Sequence, residues 1–565
     1  MNIGIHLGSK NSSVSFFNIS ENQPKQLMEN GTETTFPSVV SLEKRGQNDL
    51  TYITGKQAVC SNSVNKLTDS QKLIGKTYNE YLQMGSEKDE FTFNVMKDEN
   101  NNCLMVVPNP ITGDDEKFYP EEVSALILKD LINKTKNVFG KNEIGNVAVT
   151  VPVRFTSKQR KATLRACELA GLKNVTLLNE PSALMIEYKR YIKHSQNSEI
   201  RKRALKNGDI VLVIDFGETL NVSCCKIVDK DGHDESVIEV ISTDGDEDIG
   251  GKSFDEVVKK LFMYQLDEDL KEELNIRRGS LKQKKMAAMK LQKLMMECVK
   301  AKNKFSKQSF VEISLEKIFG QDHEDEEIII SKDEFEEECE KEILQRFKEV
   351  IERVIRDSKI PKNSIDLILP IGETCQIPIV RNMIERMFPD KNKHADPFFD
   401  TSSAIANGAA YHAHRLSYYG KNLLLKEVLP YSIGVECRIN GEDQCMSIFS
   451  RKGDSLPLEK SKTYSMCYDY QQSVEYPIFI GESRKTTDPG MKSLGKMTIS
   501  VPPNTLISDF KMKATMKISE SGIVDFEVKK VKDGRDLGNL NVILDMYQLD
   551  EKLNDMLKHI EKFLN

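Results

Sequence analysis

The sequence predicts a duplicated α/β domain over residues 1–421, an all-β sandwich over 428–547 joined to it by a short apolar linker at 422–427, and a C-terminal helix within 548–565. Three observations predict it. A strand, a small-residue turn and a second strand occur twice, about 210 residues apart, at Ile3 to Phe17 and Val211 to Val228. Each copy is followed by a strand that runs into a helix. From residue 428 the chain alternates with period two between regularly spaced turns.

Length and composition agree. At about 150 residues per domain, 565 residues give roughly three to four units with room for real cores. Hydrophobic residues are 39% and charged residues 30%, the balance of an ordinary globular chain rather than a disordered or fibrous one. The 80 Lys and Arg against 87 Asp and Glu leave a net charge of −7, so nucleic acid is not an expected partner. No basic segment leads into an apolar run at the N-terminus, and no stretch nears the ~18 apolar residues of a membrane span. A cytoplasmic location and no membrane contact are expected. The 11 cysteines are scattered without a C-x-x-C, which reads as reduced, structural thiols.

The elements follow in order. Val147 to Pro152 reads as a buried strand leading into a helix over Thr156 to Ala170, and Ile365 to Gly372 leads likewise into Ile379 to Phe388. Between the halves, Lys282 to Phe305 carries Met286, Met289, Leu294, Met295 and Cys298 at helical spacing, with the methionines read as core filler. The acid-rich segment 322–342 reads as a solvated loop and first helical turns. Beyond the linker, Asn440-Gly441, Lys452-Gly453, Pro489-Gly490 and Ser521-Gly522 punctuate the sandwich, and Leu549, Leu553, Met556, Leu557, Ile560 and Leu564 share one face of the last helix.

A small-residue turn between strands can offer successive backbone N–H groups to a phosphate. Two such turns, together with Val147 to Tyr188, Thr243 to Phe254, the linker Leu423 to Leu425, Val428 to Glu436 and Phe479 to Glu482, resemble the 70-kilodalton heat-shock chaperone family over nearly the whole chain. The resemblance implies an actin-like ATPase domain, a peptide-gripping β-sandwich, and a lid reduced to little more than its first helix or missing. It implies ATP or ADP as ligand with Mg²⁺, unfolded or extended peptide segments as clients, and a role in protein folding and the stress response. Gly8, Ser9 and Lys10 fall in the first phosphate turn; Gly217 and Thr219 in the second; Gly250, Gly251 and Gly372 near the phosphates; and Lys302 and Ser306 on the adenosine side. Glu180 and Asp215 match the carboxylates that orient metal-bound waters, Asp215 being the one assigned to the metal.

The departures cluster at the chemistry. His6 stands where the family has Asp, Gln71 where it has the lysine that positions the attacking water, with Lys72 one step along, and Asn221 where it has a second Asp. A unit charge about 4 Å from a developing phosphate charge is worth ~4 kcal/mol at an effective dielectric near 20, so losing that lysine costs ~10² to 10³-fold in rate. Counting His6, Asn221, Lys10 and Gln71 against the family pattern makes the phosphate site more positive by about two units with His6 neutral, which predicts a reduced need for Mg²⁺.

Pro152 and Arg160 match the family's interdomain switch, the bland alternative being a strand terminator and a surface arginine. Thr176 replaces an arginine of J-domain coupling, which puts such partners in doubt; another chaperone or a nucleotide-exchange factor remains an expected partner. Met446, Tyr464, Val474 and Tyr476 fall on peptide-cleft positions, with core packing as the competing reading. The expected function is a divergent chaperone that binds adenine nucleotide and apolar peptide with weak or lost hydrolysis. The alternative is a non-enzymatic co-chaperone or scaffold, a pseudo-ATPase that binds another chaperone.

Overall fold

The computed structural model describes the chain except residues 29–33, 46–48, 62, 64, 85–90, 141–142, 196–197, 202–203, 230–236, 276–280, 391–392, 396–398, 420–424, 542–551 and 564–565. Contacts divide the chain into two compact units: Met1–Gly208 with Cys225–Thr243 and Phe398–Asn565, and Asp209–Cys224 with Asp244–Pro397.

The first unit is built on β1 (Ile3–Leu7), β2 (Asn11–Asn18), β3 (Gln23–Gln26), β4 (Val147–Val151) and β5 (Val175–Asn179), in the order β5-β4-β1-β2-β3. Ile3 lies opposite Val147 in parallel and opposite Phe16 in antiparallel register, so β1 is central. All five residues of β4 are buried, as a strand covered on both faces requires. Helix α1 (Ser70–Leu73) is one short turn, α2 spans Pro120–Phe139, and α3 (Ser157–Leu169) is opened by Thr156, whose hydroxyl and Gln159 form a capping box. Helix α4 (Glu180–His194) begins directly at the end of β5.

The second unit contains β6 (Ile210–Phe216), the start of β7 (Leu220–Val228) and β9 (Leu367–Ile371); β8 (Val237–Asp246) ends in it. Val211 lies opposite Leu367 in parallel, echoing the Ile3 and Val147 pair of the first unit. Its helices α5 (Gly251–Gln265) and α6 (Leu281–Lys304) surround a phenylalanine core in which Phe216 stacks on Phe347 at 5.1 Å. Two expectations are corrected here. Met286 and Met289 are exposed, and Leu294 and Cys298 carry the buried face of α6 instead. The acid-rich segment has the expected helical turns at Lys332–Cys339, but in place of a loop Glu327–Ser331 forms a strand against Phe310–Ser314, because alternate Ile328 and Ile330 turn inward, as Phe335 and Cys339 then do on the helix.

Back in the first unit, α7 (Thr401–Tyr419) packs on α4 and β1, and Gly408 allows this because a Cβ there would meet Ala183 O at 1.9 Å. Leu423 and Leu424 of the expected linker lie outside the described residues. The remainder forms β10 (Leu425–Lys426), which pairs in parallel with β8 through Ile238 and Leu425. Then come β11 (Ile433–Ile439), β12 (Glu442–Ser450), β13 (Leu458–Ser465), β14 (Ser473–Ile480), β15 (Lys492–Ser500), β16 (Lys511–Ile518), β17 (Val524–Lys530) and β18 (Asp536–Asn541). They make two antiparallel sheets, β12-β11-β14-β15 and β13-β16-β17-β18, over one shared core that includes Val435, Ile478, Met512 and Phe526. The last described helix is α8 (Leu553–Glu561), with Leu549 and Leu564 outside the described residues. Its Met556 and Ile560, and Phe563 beyond it, join the core of the β1 sheet, not that of the sandwich.

Candidate nucleotide and peptide sites

In the first unit the β1–β2 turn carries Gly8, Ser9 and Lys10. A Cβ on Gly8 would meet Asn11 O at 2.3 Å, and the Gly8 carbonyl accepts from Ser38 Oγ at 2.7 Å, so this glycine is demanded by the turn's own backbone. Ser9 is half-buried. Lys10 is no free cation: its Nζ donates to Asp69 Oδ2 at 2.7 Å, which offsets one of the positive charges counted from the sequence. Asp69, just ahead of the Ser70 to Gly75 segment, went unassigned by sequence reasoning because only the folded chain brings it to Lys10.

Gln71 sits on α1, buried, with no hydrogen-bond partner for its Nε2. One helical step turns a side chain by about 100°, so Lys72 points elsewhere than the group it follows. His6, on β1, places Nδ1 3.1 Å from Thr150 Oγ1 and 3.5 Å from Glu180 Oε1. Burial lowers its pKa to about 4, which keeps the ring neutral at pH 7 although about a quarter of the side chain is exposed. Glu180 is buried at the first turn of α4, where the helix N-terminus favours its negative charge.

In the second unit the β6–β7 turn closes through Gly217 N–H donating to Thr219 O. The Gly217 carbonyl accepts from Gly251 N–H at 2.9 Å and from Thr374 Oγ1 at 2.7 Å. A Cβ on Gly217 would meet nothing within 4 Å, whereas one on Gly250 would meet Glu218 O at 1.9 Å and one on Gly372, at φ +92°, would meet Phe216 O at 2.2 Å. Three backbone segments are thus drawn together at glycines, with only the Gly217 side left open. Asn221 Nδ2 donates to Thr219 Oγ1 at 3.3 Å. Asp215 is buried, and burial raises its carboxyl pKa to about 7. Lys302 pairs with Asp255 at 2.8 Å and donates to Gly251 O at 3.2 Å, tying α6 to the start of α5. Ser306 Oγ turns back on Asn303 O and is exposed.

Among the described residues no group of three or more His, Cys, Asp or Glu side chains converges as a metal cage. An ion that keeps its waters and is held by few carboxylates needs no such cage; the first unit offers the buried carboxylate of Glu180 and, separately, the second unit that of Asp215.

Pro152 ends β4, and its carbonyl accepts from Phe155 N–H. Arg160 is not a surface residue. Its guanidinium is buried and donates to Phe155 O, Val153 O, Asn179 Oδ1 and, from the sandwich, Ser521 O at 3.3 Å. Ser157 Oγ accepts from Val524 N–H, and the Glu427 carboxylate accepts from Ser182 Oγ at 2.6 Å. Asn179 and Glu427 are therefore part of the same contact. Asn179 sits in the Asn-Glu-Pro motif, where its neighbour drew the assignment.

The four peptide-cleft candidates do not form one group. Tyr464 and Tyr476 meet edge to face at 5.6 Å, and Val474 lies two residues from Tyr476 on the same strand face. Tyr476 is core, 2% exposed, with Oη on Met512 Sδ. Met446 lies opposite Glu436, on the face turned away from Val435 and the core.

The arrangement so far defines an α/β protein with a small-residue turn between strands in each unit, followed by a two-sheet β domain. An Hsp70 protein family model matches residues 2–565, and the chain belongs to that family. The chain is 30% identical over 568 residues to "Chaperone protein dnaK" of Phaeodactylum tricornutum, covering 99% of this chain and 84% of that one. It is 28% identical over 571 residues to "Heat shock 70 kDa protein" of Trichophyton rubrum, with 99% and 80% covered, and 27% identical over 572 residues to "Heat shock cognate 70 kDa protein 3" of Dictyostelium discoideum, with 99% and 83% covered. No described helix is long and apolar enough to cross a membrane.

Proposed function

We propose that this Hsp70-family chaperone is a nucleotide-dependent holder of extended apolar peptides in which ATP cleavage is weak or lost. The observation that carries the reading is the altered set beside the β1–β2 turn. His6 is neutral next to Glu180, Gln71 offers an uncharged amide, and the nearby Lys10 is bound to Asp69. None of these is a substitute for a lysine that aligns the attacking water. Backbone cradling of phosphate does not depend on those side chains, so binding is retained while chemistry is slowed.

Family members generally bind ATP or ADP with Mg²⁺. Here Glu180 and Asp215 are the groups that would orient the ion's waters, and the ion would supply charge neutralisation of the phosphates. With Asp replaced at His6 and Asn221, the ion has fewer carboxylates to lean on, and nucleotide affinity is expected to survive chelation better than in relatives.

Single-turnover ATP cleavage measured beside equilibrium nucleotide binding tests the proposal. Binding with cleavage ~10² to 10³-fold below a hydrolysing relative is the expected result. Cleavage at the relative's rate, or no heat of nucleotide binding with or without Mg²⁺, overturns it.

A further inference from the structure

Cys437 on β11 and Cys445 on β12 lie directly opposite each other in the antiparallel register. Neither is in a disulfide; Cys437 is half-buried and Cys445 buried. Residues so paired have Cα atoms about 4.5 to 5.5 Å apart and side chains on the same face, inside the ~4.4 to 6.8 Å span of a disulfide. The register shift immediately after Cys437 marks a bulge, which gives the ladder the freedom to close the remaining gap between the sulfurs. Sequence adjacency is no guide to such a pair. Cys224 and Cys225, neighbours in β7, point to opposite faces, whereas these two are separated by a hairpin that folds them together.

The surroundings are polar, with Cys445 Sγ at 3.8 Å from Glu442 Oε2 and 3.7 Å from Asp443 O. Both cysteines share the face of Val435 and Ser447, at the polar end of the space between the sheets. Ser447 Oγ there accepts from Lys462 Nζ at 3.1 Å and from Tyr464 Oη at 2.9 Å, and the Cys437 thiol hydrogen-bonds to the same serine. Burial holds the Cys437 thiol above its ordinary pKa, and the Ser447 hydrogen bond and the Lys462 cation offset this only in part, so the thiolate that attacks is a minority species.

We propose that Cys437 and Cys445 are a redox modification site that closes to an intrachain disulfide on exposure to a low-molecular-weight disulfide such as oxidised glutathione. The Cys437 thiolate attacks one sulfur of that molecule and expels one small thiolate. The Cys445 thiolate then attacks Cys437 Sγ and expels the second. Two protein thiols and one small disulfide become one protein disulfide and two small thiols. Closure takes the Cys437 thiol from Ser447 and loosens the hydrogen bond that holds Tyr464. Where Tyr464 contributes to peptide binding, which rests on the function proposed above, oxidation alters peptide affinity.

The chemistry is tested on the full chain without any peptide. The reduced protein is incubated with oxidised glutathione, free thiols are alkylated, and the chain is digested with trypsin, which separates the two cysteines by cutting after Arg438. A linked pair of peptides 427–438 and 439–451 is expected, lost on reduction and absent in Cys437→Ser. Recovery of both cysteines alkylated overturns the site. Affinity for a fluorescent apolar peptide is then compared between the two states. A change of roughly five-fold is expected, the scale of one net hydrogen bond, and Cys445→Ser should abolish it. A linked pair with unchanged affinity overturns the coupling to Tyr464. Absence of peptide binding in both states overturns the peptide-binding reading while leaving the disulfide decided by mass.

Discussion

At the scale of the residue, the informative positions are those whose partners are hundreds of residues away. Gln71 is buried with an unpartnered amide nitrogen, so a longer cation placed there would have every reason to turn toward whatever anion comes within reach. The variant Gln71→Lys is expected to raise single-turnover ATP cleavage by at least ~10-fold, since an aligned charge is worth several kcal/mol. An unchanged rate would mean that His6 and Asn221 limit the chemistry first. That these positions depart from a pattern was legible only through the resemblance to the heat-shock chaperone family. Their surroundings were not: Lys10 looked like an added charge until Asp69 was found on it.

Among the elements, α8 shows how a short helix is held. His559 places Nε2 2.9 Å from Glu116 and Nδ1 2.9 Å from Glu122, with Phe118 and Phe563 against the ring. The two carboxylates raise the imidazole pKa to about 9 against the opposing effect of burial. Because that value lies above the ordinary one near 6.5, the contribution is fully present below pH 6.5 and fades as pH rises through about 9. Glu116, whose pKa is lowered with His559 as the main cause, gives up its share on acidification. Two charge-assisted hydrogen bonds on a largely buried pair are worth about 2 to 3 kcal/mol. His559→Gln is expected to raise amide exchange over 553–561 at pH 7, as raising the pH above 9 does in the parent after correction for intrinsic rates; protection unchanged in the variant would deny the ion pairs this role. Arg160 belongs to the same scale, because it binds the α3 region to the sandwich. Arg160→Ala leaves buried Phe155, Val153 and Asn179 acceptors without their donor, and a loss of at least about 3 kcal/mol, seen as a lowered Tm, is expected. The helix from Thr156 and the last helix were readable from periodicity, whereas the Thr156 capping box and the strand and helix that carry Glu116 and Glu122 were not. The strand at Glu327–Ser331 was hidden by its acidic neighbours, whose charge masked three consecutive isoleucines.

For the whole molecule, the reading predicts that nucleotide and peptide each weaken the binding of the other by the same factor, as linkage demands. Titrating each in the presence of the other checks this, and independence would favour a scaffold without a nucleotide cycle. The strands at Ile3 and Val211 were legible because alternation and β-branched runs are local signals, but their parallel pairing with Val147 and Leu367 was not read from the sequence. Which glycines serve the chain's own backbone and which leave room for a guest was invisible without coordinates, since Gly8 and Gly217 look alike in one dimension. Finally, the segment that enters the sandwich is knitted to β8 by Leu425 and Lys426, and Lys426 is also paired with Glu239 at 2.9 Å. A protease must lift several residues into its own groove before it cuts, so the Lys426–Glu427 bond is open to trypsin only in the moments when this seam unpicks. The nicking rate at that bond is thus a clock for how often the joint comes undone, and any ligand that quickens or stills it has been felt there.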